Sequence, residues 1–337
     1  MIYKRCGQTV LIQTPPVVRA SAAIAGKKEG DGPLGSRFDQ IEPDAYFAQK
    51  TWEQAESAML LRCLSLACQK ADTPVEALGF ILSGDLQNQC AGAAYAMRDT
   101  GAPYLGLYGA CSTMAESIAL GALMIDGGYS KTCAAITGSH FCTAERQYRF
   151  PLGYGGVRTP TAQWTVTGAG CVILSEHGDG PRVTSATLGR IVDQGVKDMT
   201  NMGAAMAAAA YDTLKAHFRD TGRSPQYYDL IVTGDLGEIG HGIVSELFER
   251  DGITLSNYDD CGRMIFDRES QDVHAGGSGC GCSAVVLAGH LLRAMREGSI
   301  RRMLFAATGA LMSPTTSMQK ESIPGICHAV SFEVKEA

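Results

Sequence analysis

Apolar positions along the chain follow two rhythms. Residues 52–71 (WEQAESAMLLRCLSLACQKA) carry an apolar side chain every three or four places, the period of a helix with one buried face. The following segment, TPVEALGFILSGDL, contracts to a short apolar run ended by Gly84 and Asp85, which predicts a buried strand entering a turn. Cys90–Arg98 returns to helical spacing, YLGLYG at 104–109 predicts a strand, Ser112–Met124 a helix and KTCAAITGSH a strand again. Farther on, NMGAAMAAAA at 201–210 predicts a closely packed, buried helix. Strands that alternate with helices in this way predict βα units around buried sheets, an α/β fold.

The second part of the chain repeats the vocabulary of the first. ILSGDL at 81–86 is echoed by IVTGDL at 231–236, with Pro74 and Pro225 standing ahead of each word. Cys111-Ser112 opens a helix that leads to the strand AAITG, and Cys282-Ser283 opens one that leads to AATG. Ser112 to Gly138 and Ser283 to Gly309 are the same separation in sequence. An ordered pair of words at equal spacing predicts two related halves, 1–178 and 179–337, the second enlarged by roughly 20 residues between Asp235 and Cys282.

Composition narrows the picture without naming a function. With 45% hydrophobic and 19% charged residues the chain can build a substantial core, and a net charge of −6 offers no general field for nucleic acid or anionic lipid. Twelve cysteines scattered over 337 residues predict free thiols in a reducing compartment rather than a disulfide framework. The first residues, MIYKRCGQTVLIQTPPVV, lack the apolar block of a signal peptide, and no run of 18 apolar residues predicts a membrane span.

The chemistry gathers at GACSTMAES, residues 109–117, where Cys111 stands at the mouth of a helix. Unpaired N–H groups and the positive dipole end favour a thiolate there. Duplicated halves with a cysteine at a helix start resemble the thiolase fold. The words GKKEGDGPLG, SGDLQNQ, GACSTMAESIA, TAERQYRFP, TVTGAG, TGDLGEIG, AGGSGCGCSAVV, ATGALMSPT and QKESIPGI make nearly the whole chain similar to the stage V sporulation protein AD family of endospore-forming bacteria. That resemblance implies a five-layer α-β-α-β-α fold and a homodimer. It also implies binding of dipicolinic acid, and uptake of that acid into the developing spore beside membrane proteins of the same operon. The protein would then sit peripherally on the cytoplasmic side of the inner spore membrane.

The partners of a condensing thiolate are missing from the matching places. Where the superfamily carries a histidine after a second-half strand, this chain has Gly234 and Asp235. Where it carries an Asn or His before the second-half helix, GGSGCGCSA offers only Gly, Ser, Cys and Ala. A carboxylate repels a developing oxyanion instead of stabilising it. His241 and His274 are the histidines that would have to fold back to the thiol. The expectation is therefore a binding protein and not an enzyme, with acyl transfer through Cys111 as the rival reading.

Dipicolinate is a flat ring between two carboxylates, so its site needs N–H donors or cations at both ends. The candidates are Cys111 and Ser112 at the helix start, and His140, Arg146 and Arg149 soon after a strand end, with Arg158 beyond. Asp85 and Asp235 fit turn capping, or an oxygen shell for calcium carried with the ligand. No cofactor of the protein's own is predicted, and CGC at 280–282 lacks the second pair of a zinc site.

Overall fold

The computed structural model describes residues 4–148 and 157–335. Ten strands form its frame. The first five are β1 (Val17–Gly26), β2 (Phe80–Gly84), β3 (Tyr104–Gly106), β4 (Thr132–Ser139) and β5 (Gly168–Ser175). The second five are β6 (Arg182–Thr187), β7 (Leu230–Thr233), β8 (Tyr258–Asp260), β9 (Arg302–Ala310) and β10 (Gly325–Glu333). Their spatial order is β3-β2-β4-β5-β1 in the first set and β8-β7-β9-β10-β6 in the second, the same permutation twice. In both sets the first three neighbours run parallel and the last two pairings are antiparallel. ILSGDL supplies β2 and IVTGDL supplies β7, the second strand of each order.

Helices fill three layers around these strands. α1 (Trp52–Lys70) and α2 (Ala91–Met97) cover the outer face of the first set, and α5 (Met202–Thr221) and α6 (Gly237–Arg250) cover that of the second. α3 (Thr113–Asp126) lies between them, touching β2 and β4 on one side and β9 and β10 on the other. It shares the middle layer with α7 (Cys280–Val285), which continues through a π-helical turn, Val286–Leu291, into α8 (Leu292–Arg296). α4 (Phe141–Tyr148) follows β4.

The local sequence explains this stacking. α1 starts where the Thr51 hydroxyl accepts the Gln54 amide, a cap that stabilises a helix by about 1 kcal/mol. Its Met59, Leu60, Cys63, Leu64 and Ala67 recur at helical spacing and are fully buried against the first set, so trimming Leu60 to alanine costs about 2–5 kcal/mol. β1, β4 and β5 are covered on both faces and read as near-continuous apolar runs rather than alternating ones. Small residues set how closely the middle layer approaches: a Cβ at Gly170 of β5 would stand 2.1 Å from the Ala284 carbonyl oxygen of α7.

Candidate functional site

The C-terminal ends of β2, β4 and β7 meet the N-terminal ends of α3 and α7, the place where open α/β sheets bind ligands. Cys111 sits in the tight turn Ala110–Ser112 that opens α3. Ala110 holds a left-handed φ of 50°, a strained conformation for a residue with a Cβ. Hydroxyls lock that turn. Thr113 Oγ1 accepts the Gly109 N–H (3.0 Å) and donates to the Ala110 carbonyl (2.7 Å). Ser112 Oγ donates to the Gly109 carbonyl (2.7 Å). From the other strand set, a Cβ at Gly309 of β9 would lie 2.2 Å from the Gly109 oxygen, so β9 presses directly on the turn.

A cavity of about 60 Å³ opens beside the thiol. Leu86, Ala144, Met202, Met206 and Met312 supply its apolar wall, and Thr165, Ser278, Glu145 and Tyr148 its polar groups. Tyr148 donates to the Leu86 carbonyl (3.0 Å), and its hydroxyl is also 3.0 Å from that of Tyr108. Thr165 Oγ1 donates to Glu145 Oε1 (3.1 Å). No histidine lines this cavity among the described residues.

Asp235 reaches the thiol from the end of β7. Its carboxylate is fully buried and accepts from Thr308 Oγ1 (2.8 Å), the Gly279 amide (2.9 Å) and Ser278 Oγ (3.1 Å). Desolvation raises its pKa, and those donors with the Cys111 thiol pull it back. The effect on Cys111 is the opposite of what a helix start alone predicts. Burial, followed by the Asp235 charge and the neighbouring Cys280, pushes the thiol well above its ordinary value. Cys280 opens α7, is buried against Cys111, and directs its own thiol to the Gly138 carbonyl at 3.0 Å.

Asp85 occupies the corresponding place after β2 and does something else. It accepts the Gln87 amide (2.7 Å) and the Ala93 amide (2.6 Å), tying down the start of α2, and does not line the Cys111 cavity. Burial raises its pKa to about 6 beside the buried Glu56. In the second set the capping falls to Asp260, from β8, which accepts the Leu236, Gly237 and Gly262 amides and Thr233 Oγ1. That exchange of roles frees Asp235 to face the thiol.

The remaining predicted residues lie elsewhere. Ser112 is buried and its hydroxyl is consumed by the turn. His140 is buried with Nε2 2.7 Å from the Ala45 carbonyl and Nδ1 accepting the Cys142 amide, so burial keeps it neutral and it lines a different cleft. Arg146 is half exposed, paired with Glu53 and lying over the Trp52 ring at 5.4 Å. Arg149 falls outside the described residues. Arg158 lies over Trp164, 4.7 Å from its centroid, away from the thiol. His241 stacks on Tyr258 (4.4 Å) and meets Arg263, and His274 pairs with Asp272, so neither reaches Cys111. Among the described residues no cluster of three His, Cys, Asp or Glu is arranged to hold a metal.

Comparison with known proteins agrees with this geometry. Over 96% of this chain and 99% of the other, the fold matches a variant of Xanthomonas campestris OleA (TM-score 0.61, 13% identity). It also matches 3-oxoacyl-[acyl-carrier-protein] synthase III from Aquifex aeolicus (TM-score 0.57, 12% identity, 95% and 99% of the two chains). The five-layer arrangement is therefore thiolase-like. Stage V sporulation protein AD of Bacillus subtilis is 45% identical over 327 residues, 97% of this chain and 96% of its own length. The family profile described as Stage V sporulation protein AD (SpoVAD) matches residues 6–333, and the chain belongs to that family of sporulation proteins.

Proposed function

We propose that this sporulation protein is a non-catalytic carrier that binds dipicolinate, alone or with calcium, in the cavity at Cys111 and acts in its uptake into the developing spore. The observation that carries the reading is geometric: the buried Asp235 carboxylate stands beside the Cys111 thiol, and no histidine lines the cavity among the described residues. A condensing enzyme needs the reverse: a thiolate at neutral pH and donors where an enolate oxygen develops. At 60 Å³ the cavity has roughly four to six water-sized positions, so its methionine wall must yield to admit even a single-ring acid and would have to yield far more for a long acyl chain. The methionines offer polarisable walls to a flat ring, and the Ser278, Thr165 and Tyr148 hydroxyls would have to turn from Asp235, Glu145 and the Leu86 carbonyl to donate to its carboxylates. Calcium arriving with the ligand would offset the repulsion between a dianion and Asp235. No helix among the described residues is long and apolar enough to cross a membrane, so attachment to the inner spore membrane would run through membrane partners, with the protein as a homodimer.

The test is calorimetric titration with dipicolinate, with and without Ca²⁺, on the wild type, Cys111→Ala and Ala144→Leu. The last adds a side chain inside the cavity. We expect one saturable site, weakened at least about tenfold (~1.4 kcal/mol) by Ala144→Leu. Absence of saturable heat in the wild type would overturn the reading. The acyl-transfer reading keeps one supporting observation, the thiol at the start of α3 in an acyl-synthase fold. Incubation with acyl-CoA thioesters decides it: a mass increase absent from Cys111→Ala would favour it.

A further inference from the structure

A second cleft, of about 290 Å³, lies remote from Cys111 between β1, the end of α1 and the π-helical turn that joins α7 to α8. Its wall carries Arg19, Arg37, Lys70, Arg293 and Arg296 against one carboxylate, Asp39. Counting Glu297, which pairs with Arg37 (3.1 Å) and Arg293 (3.6 Å), five cations face two carboxylates. That surplus stands on a chain whose net charge is −6, so it is not a reflection of overall composition.

Two backbone irregularities build the cleft. The pairing of β1 with β5 slips between Val18 and Ala20, so Arg19 is the bulged residue, and a bulge re-aims the side chain it carries. The opposite wall, Ala288 and Gly289, belongs to the π-helical turn, a second device concentrated at functional sites. Arg37, Arg293 and Lys70 share the two carboxylates, which leaves Arg19 and Arg296 uncompensated. Arg296 spends its fork on the Val18 carbonyl (3.0 Å) and Ser21 Oγ (3.4 Å), with no carboxylate partner among the described residues, and desolvation lowers its pKa. Lys70 reaches the Ser21 carbonyl (3.0 Å) and Asp39 (2.5 Å). Arg19 has no hydrogen bond or ion pair with any described residue and is exposed. Positioned, under-compensated guanidinium groups suit bidentate capture of phosphate or carboxylate oxygens.

The geometry points to a binding site, separate from the Cys111 cavity, for a compact oxyanion of two or three charges free in solution, with Arg19 and Arg296 as its principal ligands. The probes are pyrophosphate and citrate, titrated by calorimetry at two salt concentrations into the full chain. We expect one site for at least one of the two, weaker at higher salt, and weakened about tenfold or more by Arg19→Ala and by Arg296→Ala. Arg19→Ala is the guard against misfolding, because that side chain is exposed and unengaged. Arg301→Ala, an exposed cation outside the cleft, should leave affinity unchanged, as should Cys111→Ala, which separates this site from the dipicolinate reading. No saturable binding of either anion, or affinity indifferent to Arg19 and Arg296, overturns the inference. Binding seen only with phosphatidylglycerol vesicles, and with neither free anion, overturns it too, by assigning the charge to a lipid surface.

Discussion

Replacing Asp235 by Asn is expected to make Cys111 more reactive. The substitution keeps the shape, and the amide oxygen can accept from Gly279 and Ser278 while the NH₂ faces a Thr308 hydroxyl free to reverse its role. A full charge 4 Å from another costs about 4 kcal/mol at an effective dielectric of 20, or about three pKa units for the thiol. Thr308, Gly279 and Ser278 all donate to the Asp235 carboxylate, which weakens its field at the sulfur. A drop of about one to three units at Cys111 is the expected range, raising the thiolate fraction at pH 8 at least about tenfold. The assay is timed iodoacetamide labelling from pH 6 to 10, with the Cys111 peptide followed by mass spectrometry. Cys6 and Cys142, which are partly exposed, serve as internal references. Weaker donation to a neutral acceptor should lower stability by about 1–3 kcal/mol, read from a denaturant melt. An unchanged Cys111 rate in a folded variant would refute the reasoning, since burial alone would then set the thiol.

Two further expectations concern stability. Glu29 is buried with its pKa raised to about 7, while its Oε1 accepts the Thr167 amide (3.0 Å). Its native state therefore binds a proton that the unfolded chain has released, and its stabilising contribution, complete below about pH 4.5, is lost as pH rises toward 7. Denaturant melts at pH 5.5 and 7.5 should show wild type losing stability over that interval and Glu29→Gln losing about 1–2 kcal/mol less; equal slopes would contradict the assignment. Gly309→Ala would drive a Cβ into the Gly109 carbonyl and should cost about 1–3 kcal/mol in a thermal melt while disturbing the Cys111 turn. A melt matching wild type would mean that β9 can withdraw from the turn.

Much of the frame was readable from periodicity. Residues 52–71 became α1 (Trp52–Lys70), Ser112–Met124 became α3 (Thr113–Asp126), and the two GDL words fell at matching strands. The position of Asp235 in place of a histidine was also visible, and the structure sets it beside the thiol. Side-chain direction was not. On α4, Ala144, Glu145 and Tyr148 share the face toward the cavity, whereas Arg146 points to Glu53, because two residues along a helix is more than half a turn. Identical words also concealed different roles. The shared word GDL does not distinguish Asp85 from Asp235, since the difference lies in Asp260, supplied by the next strand. Met202 and Met206, read as ordinary core of an alanine-rich helix, form a cavity wall through a contact no single-helix pattern contains.

The middle layer also constrains how the chain can be made. β4 and β5 complete their inner face only when α7 packs on them, and α7 begins at Cys280, over a hundred residues after β5 ends. At about 5–20 residues per second, a ribosome leaves the part of that face that α7 covers, beside the part α3 already covers, open for roughly 5–20 s after β5 has emerged. The amino-terminal strands therefore cannot mature as an independent unit during synthesis. A chain truncated before Cys280 would present the same bare face permanently, as a client for holding chaperones or as the seed of an aggregate.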